Sequence, residues 1–297
     1  MYKRQLVNRL AAFPKPVVVA IHGACVGLGL ELSLACTWRV ATDHARTLLG
    51  LPEVQIGILP GATGCQRLPR LIGLRAALDI ILAGKSERAA KAFRLGLVDE
   101  LVPPSILLDT AIKAAERIVR EGPPRRKSKT GVVGLLLDRN PLGRQIVYRS
   151  ARATVLKKTG GHYPAPLAAL EAVRTGLERG MAAGLRVEHE KFGELAVGEV
   201  SRQLVRIFFA TTALKKDDGV PPGAGHARTV NRLGVLGAGF MGAGIAGTAV
   251  STAGVEARLK DADLPRVGRG IKAATGILLG RLKRRRISKY EFDRLSA

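Results

Sequence analysis

Apolar side chains near the start of the chain come in short unbroken runs rather than in strict alternation. Val17–Ile21 (VVVAI), preceded by Pro14 and Pro16, is a β-branched run that predicts a buried strand ending at Gly23. The compact apolar segment Gly29–Cys36 predicts a buried helix, and Arg39–Ala41 a short strand. Leu74, Leu78, Ile81 and Leu82 recur at helical spacing in a stretch opening at Leu71, and Gly96–Asp99 reads as a turn into another short strand. Further on, Leu167, Leu170, Val173, Leu177 and Met181 trace one helical face, and Phe192, Leu195, Leu204, Ile207 and Phe208 a second helical stretch. The middle third is therefore expected to be helical, with no cluster of candidate catalytic residues. Two breaks interrupt the pattern, Glu121–Lys129 (EGPPRRKSK) and Asp217–His226 (DDGVPPGAGH). Strands are predicted again at Leu233–Leu236 and Val255–Leu259, and no internal repeat of fixed period is visible.

At 297 residues the chain is long enough for two domains, and 46% apolar content excludes intrinsic disorder. The twenty-residue run Val17–Cys36 has membrane-spanning length, yet it carries His22 and Glu31. A carboxylate near mid-span costs about 2.5–3.5 kcal/mol on the insertion scale, so a buried strand and helix explain the run better and no transmembrane segment is expected. Cys25, Cys36 and Cys65 show no CxxC spacing and leave an odd thiol, which argues against a disulfide framework or zinc site and suits a reducing compartment. The five histidines have no metal-ligand spacing either. No secretory signal opens the chain.

Lysine and arginine number 48 against 24 acids, a formal charge of +24. Such a charge attracts polyanions, but the cations are dispersed, aromatic residues are only 4%, and no nucleic-acid motif appears. Specific nucleic-acid binding is not expected. Gly84-Lys85-Ser86 imitates the end of a P-loop, but the glycine required five positions earlier is Asp79. No GxSxG is present to make a serine nucleophile elbow.

Two places carry chemistry. Gly237, Gly239 and Gly242, with Phe240 and Met241 between the last two, form GxGxxG after a strand and before a helix. The first glycine permits the tight turn, the second lets a pyrophosphate approach the backbone, and the third lets helix and strand pack closely. Asp261, ending the next strand, is placed to accept a hydrogen bond from a ribose 2′-hydroxyl, which favours NAD over NADP. Gly237, Gly239, Met241, Gly242 and Asp261 are thus the expected cofactor-binding residues, with NAD as cofactor and no metal. Only 36 residues follow Asp261, among them the basic run Lys283–Arg286, so half a cofactor site is expected. Near the N-terminus, Glu31 follows Gly27-Leu28-Gly29-Leu30, and Glu53 sits in Leu51-Pro52-Glu53. Acids in apolar surroundings are rare unless paired or functional, because desolvation lifts their pKa toward the range useful for proton transfer.

Lys15–Gly23, Gly27–Glu31, Leu51–Glu53 and Leu59–Pro69 (LPGATGCQRLP) together resemble the crotonase (enoyl-CoA hydratase) family. With Gly96–Asp99, His162–Pro166 and the glycine fingerprint, the order is similar to the multifunctional α-subunits of fatty-acid oxidation. These join an enoyl-CoA hydratase/isomerase to an NAD-dependent 3-hydroxyacyl-CoA dehydrogenase. The resemblance implies an α/β chain: a truncated crotonase (ββα spiral) domain at 6–110, a helical linker region at 111–229, and the first part of a Rossmann domain at 230–297. It also implies hydration of an acyl-CoA thioester, with Glu31 chiefly activating water, Glu53 delivering the proton, and the Leu28 N–H as one oxyanion donor. Leucine stands at 28 where the family usually has glycine, and it would be strained if that backbone needs φ > 0. A cytoplasmic protein partnered by a thiolase subunit is what the resemblance further suggests.

The family's first oxyanion donor and much of its CoA pocket come from strands and a loop upstream of the Lys15 strand, where this chain has fourteen residues. The dehydrogenase's catalytic histidine and later strands are likewise missing, so the chain is expected to be an internal piece cut at both ends. On its own it is expected to be poorly active, the alternative being a non-catalytic remnant that binds CoA and NAD. The string GTG-TAT-AAG-AGA-CAG would encode Met1–Gln5 (MYKRQ) if GTG were the start codon, and it resembles a sequencing-library adapter. Residues 1–5 are therefore expected to be a non-native leader.

Overall fold

The computed structural model describes residues 2–123, 134, 137, 138, 140–217, 219, 229–284 and 286–296. Met1, residues 124–129 of the first predicted break, 218 and 220–226 of the second, and Arg285 lie outside the described residues. The chain divides into two compact units, Met1–Asp217 and Asp218–Ala297.

In the first unit the elements run α1 (Tyr2–Ala11), β1 (Val18–Ile21), β2 (Ala24–Val26), α2 (Leu28–Ala35), β3 (Trp38–Thr42), β4 (Leu48–Gly50), a 3-10 turn at Glu53–Ile56, α3 (Gly64–Ile72), α4 (Leu74–Ala83), β5 (Ser86–Arg88), α5 (Ala89–Leu95), β6 (Glu100–Val102), a second 3-10 turn at Pro104–Ile106, α6 (Leu107–Glu121), α7 (Pro141–Thr159), α8 (Pro164–Arg179), α9 (Met181–Ala196) and α10 (Glu199–Leu214). Two three-stranded sheets result. One is parallel, in the order β1-β3-β6, with Val18 opposite Trp38 and Val40 opposite Glu100. The other has the order β2-β4-β5, with β2 parallel and β5 antiparallel to β4.

The strand expected at 17–21 and the helix expected at 29–36 form within one residue of those limits. The helical spacing of residues 71–82 belongs to two helices, because Gly73 at φ 88 ends α3 and starts α4. Likewise Gly180 at φ 90 divides the face traced from Leu167 to Met181 into α8 and α9. Val197 and Gly198 part the next predicted stretch into α9 and α10. A left-handed or extended residue turns the chain without disturbing apolar spacing on either side, so periodicity alone does not register it.

Leu30, Leu49, Leu51, Leu59, Leu68, Leu74, Ile80, Ile81 and Leu97 are fully buried and form the core with the inner face of α8. Helix α8 lies on α3 through Gln66, whose Nε2 donates to the Ala172 carbonyl at 3.0 Å. A side chain at Gly176 or Gly184 would collide with the Gln66 amide, so α8 and α9 approach α3 more closely than any larger residue permits.

Arg39 of β3 is fully buried. Its guanidinium reaches Asp99 Oδ2 at 2.7 Å and donates to the carbonyls of Leu97, Ser33 and Cys36. Asp99 also accepts the Arg39 backbone N–H at 2.9 Å, which pins the turn before β6 onto β3. Removing one partner of a buried pair strands the other charge, so Asp99→Ala is expected to lower unfolding free energy by about 3–5 kcal/mol in chemical denaturation.

The second unit contains β7 (Arg232–Leu236), α11 (Phe240–Thr248), β8 (Glu256–Lys260), α12 (Leu264–Lys283) and α13 (Lys289–Ser296). Strands β7 and β8 pair in parallel, with Val235 opposite Leu259. Among the described residues no helix is long and apolar enough to cross a membrane.

Candidate functional site

Glycine 27 makes the turn that aims α2. It stands at φ 58, its N–H donates to the Gly50 carbonyl at 2.9 Å, and its own carbonyl accepts the Glu31 N–H at 3.0 Å. The left-handed residue is thus Gly27. Leu28 is the first residue of α2, and Thr63 is the one described non-glycine residue with positive φ. The strain considered for leucine at 28 therefore does not arise, and the N–H of Leu28 lies in the first turn, where helical amides have no partner four residues back.

Glu31, one turn into α2, is only 2% exposed. Its Oε1 accepts the N–H of Ala62 at 2.8 Å and of Gly64 at 2.6 Å. The carboxylate at a helix N-terminus also meets the favourable end of the helix dipole. Glu53 opens the turn after Leu51 and Pro52, and its carbonyl accepts the Ile58 N–H. Its carboxyl is treated differently: Oε2 is buried with no hydrogen-bond partner. Burial, assisted by the charge of Glu31, pushes Glu53 up to about 7. A Cβ at residue 27 would stand 3.2 Å from Glu53 Oε1, a tight contact added to the strain of its positive φ.

Glu31, Glu53 and Leu28 line one cavity of about 920 Å³. Its opposite wall comes from the helical region: His189 and Phe192 of α9, and Leu204, Ile207 and Phe208 of α10. The middle third, where no catalytic cluster is expected, thus contributes lining residues to the cavity. Glu188 on α9, 1% exposed, accepts the N–H of Thr63 at 2.7 Å through Oε1. Thr63 sits at φ 91, where an L side chain is strained, and its hydroxyl accepts from Arg67 Nε at 2.9 Å. A signal for Glu188 exists in the sequence: with Gly184 and Leu195 it falls on the inward stripe of α9. The deeply buried Cys65 has its thiol raised well above the ordinary value, first by burial and then by Glu188, Glu31 and Glu53. Glu188→Ala leaves the buried Thr63 amide without an acceptor and is expected to cost about 1–3 kcal/mol in denaturation, with Glu188→Gln recovering part of it.

In the second unit Gly237, at φ 95, turns the chain out of β7, and its N–H donates to the Lys260 carbonyl at 2.7 Å. Gly242 has no room for a side chain against the Gly237 carbonyl, whereas the space beside Gly239 is open. Asp261 Oδ2 accepts the Ala238 N–H at 2.7 Å and Oδ1 accepts the Ala262 N–H. The Ala238 bond first, then that of Ala262, holds this carboxyl below the usual carboxylate range. A cavity of about 350 Å³ is lined by Ala238, Gly239, Phe240 and Asp261 with Arg266 and Arg269. Gly239 and Asp261 thus meet in one place, while Gly237 and Gly242 shape the turn. Met241, 71% exposed, lines a separate apolar recess with Ile245 and Ile277. The open approach at Gly239, the unpaired first-turn amides of α11 and an ionised acid at the strand end fit a dinucleotide. Among the described residues no group of three histidines, cysteines or acids is placed to hold a metal.

Residues 2–158 match the enoyl-CoA hydratase/isomerase family, and residues 232–297 match the NAD-binding domain of 3-hydroxyacyl-CoA dehydrogenase. The fatty acid oxidation complex subunit alpha of Shewanella loihica is 46% identical over 282 residues, 95% of this chain and 39% of that protein. That of Vibrio campbellii is 46% identical over 286 residues, 96% of this chain and 40% of the relative. The chain spans about two fifths of the length of these relatives. A solved enoyl-CoA hydratase from Bacillus anthracis is 29% identical, with 72% of this chain and 65% of that one covered at a TM-score of 0.39. Matched over more than half its length, the chain belongs to the enoyl-CoA hydratase/isomerase family, and it carries an NAD-binding domain of the 3-hydroxyacyl-CoA dehydrogenase type.

Proposed function

We propose that this chain supplies the hydratase chemistry of fatty-acid β-oxidation, adding water to a trans-2-enoyl-CoA to give a 3-hydroxyacyl-CoA. We assign NAD-dependent oxidation of that product to the complete protein. The observation that carries the reading is the pair Glu31 and Glu53 facing one apolar cavity with the first amide of α2 at its rim.

In this reading the Leu28 N–H donates to the thioester oxygen, where negative charge builds as water adds. Glu31 takes a proton from the water whose oxygen bonds to C3. Glu53, poised at about 7, gives its proton to C2. Water has then been added across the double bond, with Glu31 protonated and Glu53 ionised until solvent exchange resets them. In the second unit Gly239 and the α11 amides would hold the pyrophosphate, and Asp261 the ribose. NAD, when bound, supplies the hydride acceptor.

We assign the hydratase-like portion to 6–110, the helical region to 111–229 and the dinucleotide-binding portion to 230–297. A cytoplasmic location suits the three free thiols, and a thiolase subunit is the proposed partner. The alternative reading is a remnant that binds thioester without turnover.

The expressed chain is expected to hydrate crotonyl-CoA slowly, and Glu31→Gln or Glu53→Gln to lower that rate by a further ~10²–10⁴. Thioester binding with no turnover would select the remnant reading. A turnover indifferent to both substitutions would sink the assignment of roles. Stability gives an independent check on Glu53. With its pKa raised from 4.5 to about 7, the native-state benefit of the neutral acid is complete below 4.5 and is lost as pH rises through 7. The Tm difference between Glu53→Gln and the parent is therefore expected to shift in favour of the variant across that window.

A further inference from the structure

The dinucleotide cavity contains more positive charge than an acid-and-glycine site requires. Arg266 and Arg269 project from the first two turns of α12, and both line the cavity that holds Gly239 and Asp261. They are brought there by a close approach. Gly270, next to Arg269, lies so near Ala238 of the glycine turn that a Cβ would stand 2.6 Å from the Ala238 carbonyl oxygen. The helix is thereby packed directly on the glycine turn.

The two guanidiniums are in different states. Arg266 is shared between carboxylates, at 3.7 Å from Asp261 Oδ1 and 3.3 Å from Asp263 Oδ2. Arg269 has no acceptor among the described residues. Asp261 is correspondingly well supplied with donors, since two backbone amides and the Arg266 guanidinium all face it. Its negative charge is therefore partly compensated before any ligand arrives. A guanidinium offers a planar fork of donors suited to phosphate oxygens, and the N-terminal turn of α12 adds its positive dipole end.

We propose that Arg266 and Arg269 form a second phosphate-recognising arm of this cavity, in addition to the N-terminus of α11, with Arg269 making the direct contact. The inference rests on the dinucleotide reading of the second unit. The phosphate it takes is either the pyrophosphate common to NAD and NADP or the 2′-phosphate that only NADP carries.

Titration calorimetry on the whole chain with NAD⁺, NADP⁺ and adenosine separates these sources, comparing the parent with Arg269→Gln. Arg269 is exposed, so the substitution leaves the fold intact. Loss of one charge-assisted contact is expected to weaken binding by about tenfold. An equal loss for NAD⁺ and NADP⁺ with adenosine unchanged assigns the arm to the pyrophosphate. A loss confined to NADP⁺ assigns it to the 2′-phosphate. Lys272→Gln, which removes a charge from the same helix but outside the cavity, is expected to change neither affinity. Both dinucleotides binding parent and Arg269→Gln equally well overturns the proposal, as does an equal weakening by Lys272→Gln. A parent chain that binds neither dinucleotide overturns the dinucleotide reading itself and the arm with it.

Discussion

Three consecutive backbone amides, of Ala62, Thr63 and Gly64, are held by two buried carboxylates, and the first unit's site depends on that arrangement. Glu31 takes the outer two and Glu188 the middle one. Each of these N–H groups is buried with its acceptor, and a buried amide left unsatisfied costs about 1–3 kcal/mol. The arrangement works in both directions. The loop fixes where the Glu31 carboxylate lies, and the acids hold a loop whose central residue has a left-handed backbone that threonine does not favour. Glu188 belongs to α9, so the helical region does more than connect: it supplies one of the two acceptors and the apolar wall facing Glu53.

Two acids of the same kind are thereby placed in different surroundings. Glu31 is anchored by amides at the start of a helix, which leaves its hydrogen-bonded oxygen in an acceptor role. Glu53 has one oxygen with no partner and an apolar surround, so its neutral form is favoured up to about pH 7. Paired titratable groups whose environments push them apart are a familiar way for one site to run acid and base chemistry together. That asymmetry supports the proposed division of labour, with the anchored acid receiving a proton and the desolvated acid giving one.

Much of this was legible in the residues, for local reasons. Val17–Ile21 and Gly29–Cys36 are continuous apolar runs, and burial on all sides leaves few alternatives for such segments. The partial crotonase domain, helical region and start of a Rossmann domain follow from motifs whose glycines answer to sterics within a few residues. Glu31 and Glu53 stood out because acids seldom occur in apolar stretches. Glu188 did not, because its partner is an amide 125 positions away, and its place on the inward stripe of α9 announces burial but not that contact. The division of the long helical stretches at Gly73 and Gly180 was hidden for the opposite reason, since one residue redirects the chain while the flanking periodicity persists. Met241 stands inside the glycine fingerprint, but side-chain direction is set by the helix, and on α11 it points Met241 to a different recess.

The apolar wall opposite the two acids has two consequences from one cause. Phe192, Leu204, Ile207 and Phe208 give the cavity a lining suited to an aliphatic chain, and Ile207 and Phe208 remain more than half exposed at its edge. Exposed apolar surface beside a concave site is the usual mark of a surface that receives a ligand. The same enclosure withholds water from Glu53, and that desolvation is the largest contribution to its raised pKa. In the proposed reaction the two effects reinforce each other. An acyl chain seated on this wall displaces remaining water, favours the protonated form of Glu53 still further, and relinquishes that bias only when the proton moves to C2. Substituting the wall with polar residues would therefore disturb acid strength and binding together. A substitution that moves one without the other would show that the enclosure of Glu53 has a separate origin.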